Sequence, residues 1–592
     1  MYHIINNKVF THNLIPPLIV GIITGIYAVL FNYLLEVLTK FLLVEKVGYI
    51  NPMPAGEGGY HLVLPIISEP YLLPFVTMSG GLISGLLVYF LSRDSEGIGT
   101  DHAIKAYHFR EAKIDPKAPF VKLISSAILI SAGGTSGREG PIALIGAGLG
   151  SLLSNLLRLG KRERRKLVAI GLGAGVAAIF RAPLAGAIIS AEVFYKRDFD
   201  IELLVPGFVA SVSSYIVFGS VFGFDPLFNI PMEDRNSIKL DHLIYYALLG
   251  LLCGLSIRLF MKIFSKTKSA FNNMNIYPFL KPALAGFIVG VIGIINPTVI
   301  GNGYGWLQIV IDGKYDFPGF LNILLAPFLI MLCASLTLGS GGSGGIFGPS
   351  IMIGGLLGAS SSILINSLLG ENLLNIAHFT VVGMTAFFGG AAKAPLSTLI
   401  LIAEMTHGYN LLVPSIIAIS IAYIVSGEDS IFPSQVDTRR DSPIMREEIG
   451  ISMLESHKAE EVMNKPVTLG PSASVKEAEE TMKNLLISGI PVVEEEDLKG
   501  IVTKSDISEV PEDKRNLLKV KDIMTKDPIY VHPDTKLSDV LNIMINRGIG
   551  RIPVVVIENN KRKVVGIITR SDIGKLVRHR LSFVPQKPEG NS

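Results

Sequence analysis

Up to about residue 440 the apolar residues come in long blocks, not in alternation. Stretches at 14–45 and 72–92 are long enough to span a bilayer, since about 20 apolar residues cross one, and further apolar stretches run at 203–224, 241–264, 281–296, 320–338 and 411–426. Three further stretches, 119–158, 167–195 and 377–404, are equally apolar but broken by Gly and Pro, the pattern of helices that stop or re-enter midway. Residues 97–112, GIGTDHAIKAYHFREA, are more polar and predict a short helix opened by a Gly-x-Gly turn and capped by Thr100 or Asp101. The run KRERRK from Lys161 to Lys166 predicts a basic loop and suits a cytoplasmic side. Beyond 445 the composition becomes that of a soluble chain, with short strands between amphipathic helices.

Two internal repeats organise this pattern. GGTSGREGPIALIGAGLG at 133–150 returns as GGSGGIFGPSIMIGGLLG at 341–358. A constant offset pairs Gly133 with Gly341, Gly137 with Gly345, Gly140 with Gly348 and Pro141 with Pro349. A second match pairs Ala182, Pro183, Leu184 and Glu192 with Ala394, Pro395, Leu396 and Glu404. The halves run from about 75 to 225 and from about 281 to 430. Each Gly-rich turn leads through a Pro into an apolar helix, where the missing Pro N–H costs nothing. A helix start carries about half a positive charge and unpaired N–H donors, so it attracts anions. Two such starts inside apolar sequence predict broken helices meeting at one anion. The second repeat, 459–507 and 520–573, pairs GIPVV with RIPVV and GIVTKSDI with GIITRSDI, and predicts strand, helix, strand, strand, helix in each copy.

Composition sharpens this reading in three places. Hydrophobic residues make up 49% of the 592 and charged residues 17%, below the roughly one quarter typical of soluble chains. The net charge of +3 gives no indication of nucleic-acid binding. Cys253 and Cys333 both lie in apolar runs, so two buried thiols are expected and not a disulfide framework. The apolar run near the N-terminus is too long for a cleavable signal. His102 and His108 lack metal-ligand spacing, so no metal site is expected and no catalytic residue is identified.

On these motifs residues 14–440 resemble the CLC family of chloride channels and proton-coupled chloride exchangers, and 459–577 resemble a pair of CBS modules. The resemblance implies an all-α polytopic membrane domain, an inverted repeat of broken helices, followed by a soluble α/β CBS pair. It places a tail at 1–13, the membrane domain at 14–440, a linker at 441–458, CBS modules at 459–514 and 518–577, and a tail at 578–592. It implies a homodimer in the cell membrane with one pore per subunit and the CBS modules in the cytoplasm. The family signature Gly-Arg-Glu-Gly-Pro falls on Gly137, Arg138, Glu139, Gly140 and Pro141. By that match Glu139 is the anion gate, a tethered carboxylate competing with chloride, although a simple helix cap is the alternative. Gly137, Arg138, Gly140, Gly345, Ile346 and Phe347 are expected to line the path through backbone N–H groups.

Departures from the family pattern bear on selectivity and coupling. Its Gly-Ser-Gly-Ile-Pro motif falls on Gly97, Ile98, Gly99, Thr100 and Asp101, and its pore-facing Tyr on Phe432, so both hydroxyl donors are missing. An anion there would rely on the amides of 97–99 and on water. At the proton-transfer position, where exchangers usually carry Glu-Glu, the chain has Glu192 then Val193. Val193 cannot carry a proton, which implies a channel, with a proton-coupled antiporter as the alternative. Glu192, matched by Glu404, reads as structural. In the CBS pair Gly500, Thr503, Asp506 and Gly566, Thr569, Asp572 match the adenine-nucleotide pattern, with Lys504 and Arg570 near enough for phosphate. Two readings stay open: ATP, ADP or AMP binds there, or the Thr/Asp pairs only cap helices in a dimer scaffold.

Overall fold

The computed structural model describes residues 7–59, 67–231, 242–314, 319–370 and 373–581. Of the expected tails, residues 1–6 and 582–592 lie outside the described residues. The chain forms two compact units, 1–443 and 444–592.

The first unit is helical. Its helices are α1 (Asn7–Thr39), α2 (Leu73–Leu91), α3 (Gly99–Phe109), α4 (Ala118–Ser131), α5 (Glu139–Leu156), α6 (Lys161–Phe180), α7 (Pro183–Glu192) and α8 (Leu204–Phe222). Then follow α9 (Leu243–Asn273), α10 (Lys281–Ile295), α11 (Tyr304–Ile311), α12 (Phe320–Gly339), α13 (Phe347–Leu369), α14 (Ile376–Ala392), α15 (Pro395–Thr406) and α16 (Leu412–Val425). Among the described residues seven helices are long and apolar enough to cross a membrane. The order α2 to α8 recurs as α10 to α16. The apolar stretch 119–158 is split into α4 and α5 by a turn that opens at Gly133, whose φ is 101°. In the second half Gly341 takes the same left-handed conformation, φ 97°, which a side chain would strain.

Gly contacts draw neighbouring helices together in both halves, as small residues do inside membranes. A Cβ on Gly146 would lie 2.0 Å from the Gly171 carbonyl, and one on Gly354 would lie 2.3 Å from the Gly383 carbonyl. Helices α6 and α14 both end on a cation in the left-handed conformation, Arg181 and Lys393. Arg181 donates to the carbonyls of Phe222 and Asp225 at the end of α8 (3.0 and 2.7 Å), and Lys393 to that of Tyr423 in α16 (3.2 Å). Each cation thus answers the negative end of the same helix in its half.

Two local expectations fail. The basic run starting at Lys161 is the first turn of α6 and not a loop. Helix α3 is capped at Ile98 with no side-chain bond. Asp101 instead accepts from the Ser434 amide and hydroxyl at 2.8 and 3.0 Å, so a contact far along the chain outcompetes the local cap.

The second unit contains α17 (Pro443–Ser456), α18 (Val475–Asn484), α19 (Lys504–Ser508), α20 (Val520–Ile523), α21 (Leu537–Asn546) and α22 (Arg570–Leu581). Its strands are β1 (Gly489–Glu494), β2 (Asp497–Thr503), β3 (Thr525–Lys526), β4 (Arg551–Glu558) and β5 (Lys561–Thr569). They form antiparallel sheets β1-β2-β3 and β4-β5. The expected leading strands are reduced and exchanged between copies. β3, which opens the second copy, pairs with β2 of the first, while Asn464 of the first bridges Ile567 of the second. Gly500 and Gly566 make room for the side chains of Met524 and Met463 that this exchange brings in.

Candidate functional site

Three helix starts converge in the first unit. Gly137 and Gly345 form an antiparallel bridge, and Ile98 and Gly344 a parallel one, so α3, α5 and α13 begin at one place. The turns approach so closely that a Cβ on Gly140 would stand 2.6 Å from Gly345 Cα. Three of the expected anion-binding amides are engaged within the protein. Gly137 N donates to Gly345 O (2.8 Å), Gly345 N to Ser136 Oγ (2.8 Å) and Gly99 N to Gly344 O (3.3 Å). These glycines fasten the turns to one another. First-turn amides at 138–140 and 346–348 lack acceptors within their own helices, as every helix start does.

Glu139 lies at this junction and is wholly buried. Its Oε1 accepts the Tyr304 hydroxyl proton at 2.5 Å. Its Oε2 has no hydrogen-bond partner among the described residues and lies against Gly137 and Gly348, where added Cβ atoms would be 2.2 and 3.2 Å away. The carboxylate therefore fills the space between the two Gly-rich turns. The Arg138 side chain, expected to matter only through its backbone, turns to Asn32 Oδ1 (2.9 Å) and to Glu57, with which it forms an ion pair. Phe347 packs between the tilted rings of Phe180 and Phe388, at 5.0 and 3.7 Å between ring centroids. Ile346 is buried beside it.

A cavity of about 400 Å³ adjoins the start of α3 and is lined by Gly97, Ile98, Asp101, His102 and Lys268 among others. Pro433 lines it, whereas Phe432 is buried with its amide on Ser430 Oγ (3.1 Å). Beneath Gly97, the buried Lys122 ammonium donates to the carbonyls of Ser95 and Gly97 at 3.1 and 2.7 Å. Sequence reasoning missed Lys122, Tyr304, Asn32 and Glu57. Only Tyr304 carried a signal, the Gly-x-Gly turn before it.

Glu192 accepts from the amides of Leu396 and Ser397 at the start of α15 (3.0 and 2.7 Å). Glu404 accepts from Leu184 and Ala185 at the start of α7 (3.2 and 2.8 Å). Each half thus supplies the carboxylate that caps the other half's helix. Val193 is buried, and its carbonyl accepts from Gln435 Nε2 at 2.8 Å. His102 Nδ1 contacts the Ile98 carbonyl, and His108 lies within hydrogen-bonding distance of the Ser442 hydroxyl and the Phe194 carbonyl. Cys253 and Cys333 are buried free thiols.

In the second unit, Asp506 Oδ2 accepts from Thr503 N (2.7 Å) and Oγ1 (2.8 Å), and Asp572 Oδ2 from Thr569 N (3.0 Å) and Oγ1 (2.5 Å). Both pairs are capping boxes for the helices that follow. A cleft of about 500 Å³ includes Thr503, Lys504 and Arg551 in its lining. The Arg570 guanidinium donates to the Met544 carbonyl at 2.8 Å.

The family profile described as Voltage gated chloride channel matches residues 80–427, and that of the CBS domain matches 459–513 and 520–579. A putative chloride channel protein ClcB-like from Ralstonia nicotianae is 28% identical over 62% of this chain and 86% of its own. The H(+)/Cl(-) exchange transporter ClcA of Citrobacter koseri is 31% identical over 50% of this chain and 63% of its own. The crystal structure of a slow cyanobacterial Cl-/H+ antiporter superposes with a TM-score of 0.61 at 22% identity, covering 71% of this chain and 96% of that one.

Proposed function

Since this chain belongs to the voltage-gated chloride channel family and carries two CBS domains, we propose that it moves chloride across a membrane under the control of Glu139. The position of the Glu139 carboxylate carries this reading. It occupies a buried space between two helix starts, where a small anion would gain most from their partial charge. Carboxylate and chloride compete for that space. Acidification neutralises the carboxylate, weakens its claim on the seat and opens the path. Glu139→Gln should flatten the pH dependence of chloride flux in liposomes, and a profile identical to the native one would overturn the gate.

Passive conduction is the favoured mode, because the position expected to deliver protons holds Val193 and its neighbour Glu192 is committed to capping α15. Proton-coupled exchange is the alternative. Under opposed chloride and proton gradients, a reversal potential that ignores pH supports conduction, and one that follows pH establishes exchange. We further propose a homodimer in the cell membrane with the CBS pair in the cytoplasm. The mass of the particle in mild detergent tests the dimer, and a single-chain mass rejects it.

We assign the cleft at Thr503, Lys504 and Arg551 to the phosphate of an adenine nucleotide, with two cations and a hydroxyl as the supporting chemistry. Asp506 and Asp572 are engaged in their capping boxes and contribute there to the fold. Calorimetric titration of the full chain with ATP, ADP and AMP tests this assignment. Absence of heat at millimolar ligand rejects it.

A further inference from the structure

The Glu139 side chain hydrogen-bonds to a residue that lies far from it in sequence, Tyr304. Tyr304 opens α11, directly after Gly301 and Gly303, whose φ values of 66° and 71° turn the chain sharply. Its ring is buried among Phe180, Phe228 and the Arg138 guanidinium, at 6.4, 5.9 and 5.9 Å. The hydroxyl stands beside the carboxylate over Gly348, where an added Cβ would be 3.0 Å from Tyr304 Oη and 3.2 Å from Glu139 Oε2. A side chain at 348 would press on both groups.

We infer that the Tyr304 hydroxyl is the latch that holds the Glu139 carboxylate in the anion seat and thereby sets the pH at which the path opens. This inference rests on the gate reading of Glu139. A phenol is neutral throughout the physiological range and carries one proton to donate. Its bond to an ionised carboxylate is charge-assisted and stronger than its bond to the neutral acid. The latch therefore favours the charged, seated gate, and leaving the seat breaks the 2.5 Å contact. The charged groups that act on Glu139 are Arg138 and Glu57 paired with it, and Glu36, bonded to Asn32 on α1, and Arg181 act on that pair. Tyr304→Phe leaves all of them in place and removes only the hydroxyl, so Tyr304 is a positioning residue whose effect reads out in the pH profile.

The test measures chloride efflux from liposomes between about pH 4.5 and 8.5 for the full chain, Tyr304→Phe, Glu139→Gln and the double variant. Without the donor the carboxylate protonates more readily, so the half-activation pH of Tyr304→Phe should rise by about one unit, roughly tenfold in proton concentration. The double variant should coincide with Glu139→Gln. Should Glu139→Gln keep the native pH profile, the gate itself is wrong. Should Glu139→Gln be flat while Tyr304→Phe overlays the native curve, the gate stands and the latch is rejected. A double variant that falls well below Glu139→Gln shows that Tyr304 acts as scaffold, which also rejects the latch.

Discussion

The two halves of the membrane unit agree at some positions and differ at others, and the difference separates scaffold from function. Glu192 and Glu404 agree, and each caps a helix of the opposite half. Arg181 and Lys393 agree, and each answers the end of a helix. Gly137 and Gly140 agree with Gly345 and Gly348, and each lets one turn press on the other. Between those glycines the halves part: α5 opens with Glu139 where α13 opens with Phe347. One side of the junction presents a carboxylate and the other an aromatic ring. Two identical acids facing one seat would repel each other and lose the competition with a single anion. A repeated residue holds the fold together, and an unrepeated one at the same place is free to do chemistry.

The most severe break of this symmetry is steric. Gly140→Ala would place a Cβ 2.6 Å from Gly345 Cα, and Gly345→Ala would place one 2.7 Å from Gly140 N. Backbone cannot step aside as a flexible side chain can, so each substitution should cost about 3 kcal/mol or more. Both should reduce flux at least a hundredfold together with thermal stability in detergent. If either variant transported normally, the close approach of the turns would not be a requirement.

Capping carboxylates should come next in size. Glu192→Ala and Glu404→Ala each leave two helix-start amides without their carboxylate acceptor, one of them buried, costing about 2 kcal/mol. Comparable falls in melting temperature are expected, with the pH profile of flux unmoved. A change of pH profile in Glu192→Ala alone would make that residue part of a proton route and end its equivalence with Glu404. Smaller still is Lys393→Ala. It removes the donor to Tyr423 O and Ser426 Oγ at the end of α16, and about 1 kcal/mol of stability should go with it.

Much of this was legible in the sequence because Gly and Pro carry strong backbone constraints. The matched turns at 133–141 and 341–349 announced both the break in each helix and the likeness of the halves. Local reasoning went astray where distant partners decide. Asp101 has the chemistry of a helix cap, yet Ser434 takes its carboxylate and α3 begins on Ile98. The glycine amides at 99, 137 and 345 had the right place for an anion, but the turns spend them on each other. Tyr304 is separated from Glu139 by 165 residues, and no periodicity or spacing could have joined them. The exchange of leading segments in the CBS pair was hidden for the same reason, since both copies contain both partners.

The CBS pair repeats the lesson on a smaller scale and gives the weakest of the expected effects. Its copies agree at Thr503 and Asp506 against Thr569 and Asp572, which cap helices. They differ at Asp497, whose place in the second copy is held by Lys563. Asp497 accepts from the Arg562 backbone N–H (2.9 Å) and guanidinium (3.3 Å) and from Lys499 (3.0 Å), and so ties β2 to β5. The Arg562 amide, then Lys499, hold its carboxyl down at about 2. A depressed acid stabilises the fold above its unfolded pKa, near 3.9, and that contribution fades as pH falls toward about 2. Because the group is close to solvent, the gain should stay under about 1 kcal/mol. Asp497→Asn should therefore lower the melting temperature of the CBS transition slightly at pH 7, with the loss shrinking as pH falls below about 4 and vanishing only below about 2, where the native carboxyl gives up its charge. A loss that persisted unchanged into acid would mean that Asp497 acts through shape and neutral hydrogen bonds, and the charge asymmetry between the copies would then carry no energy.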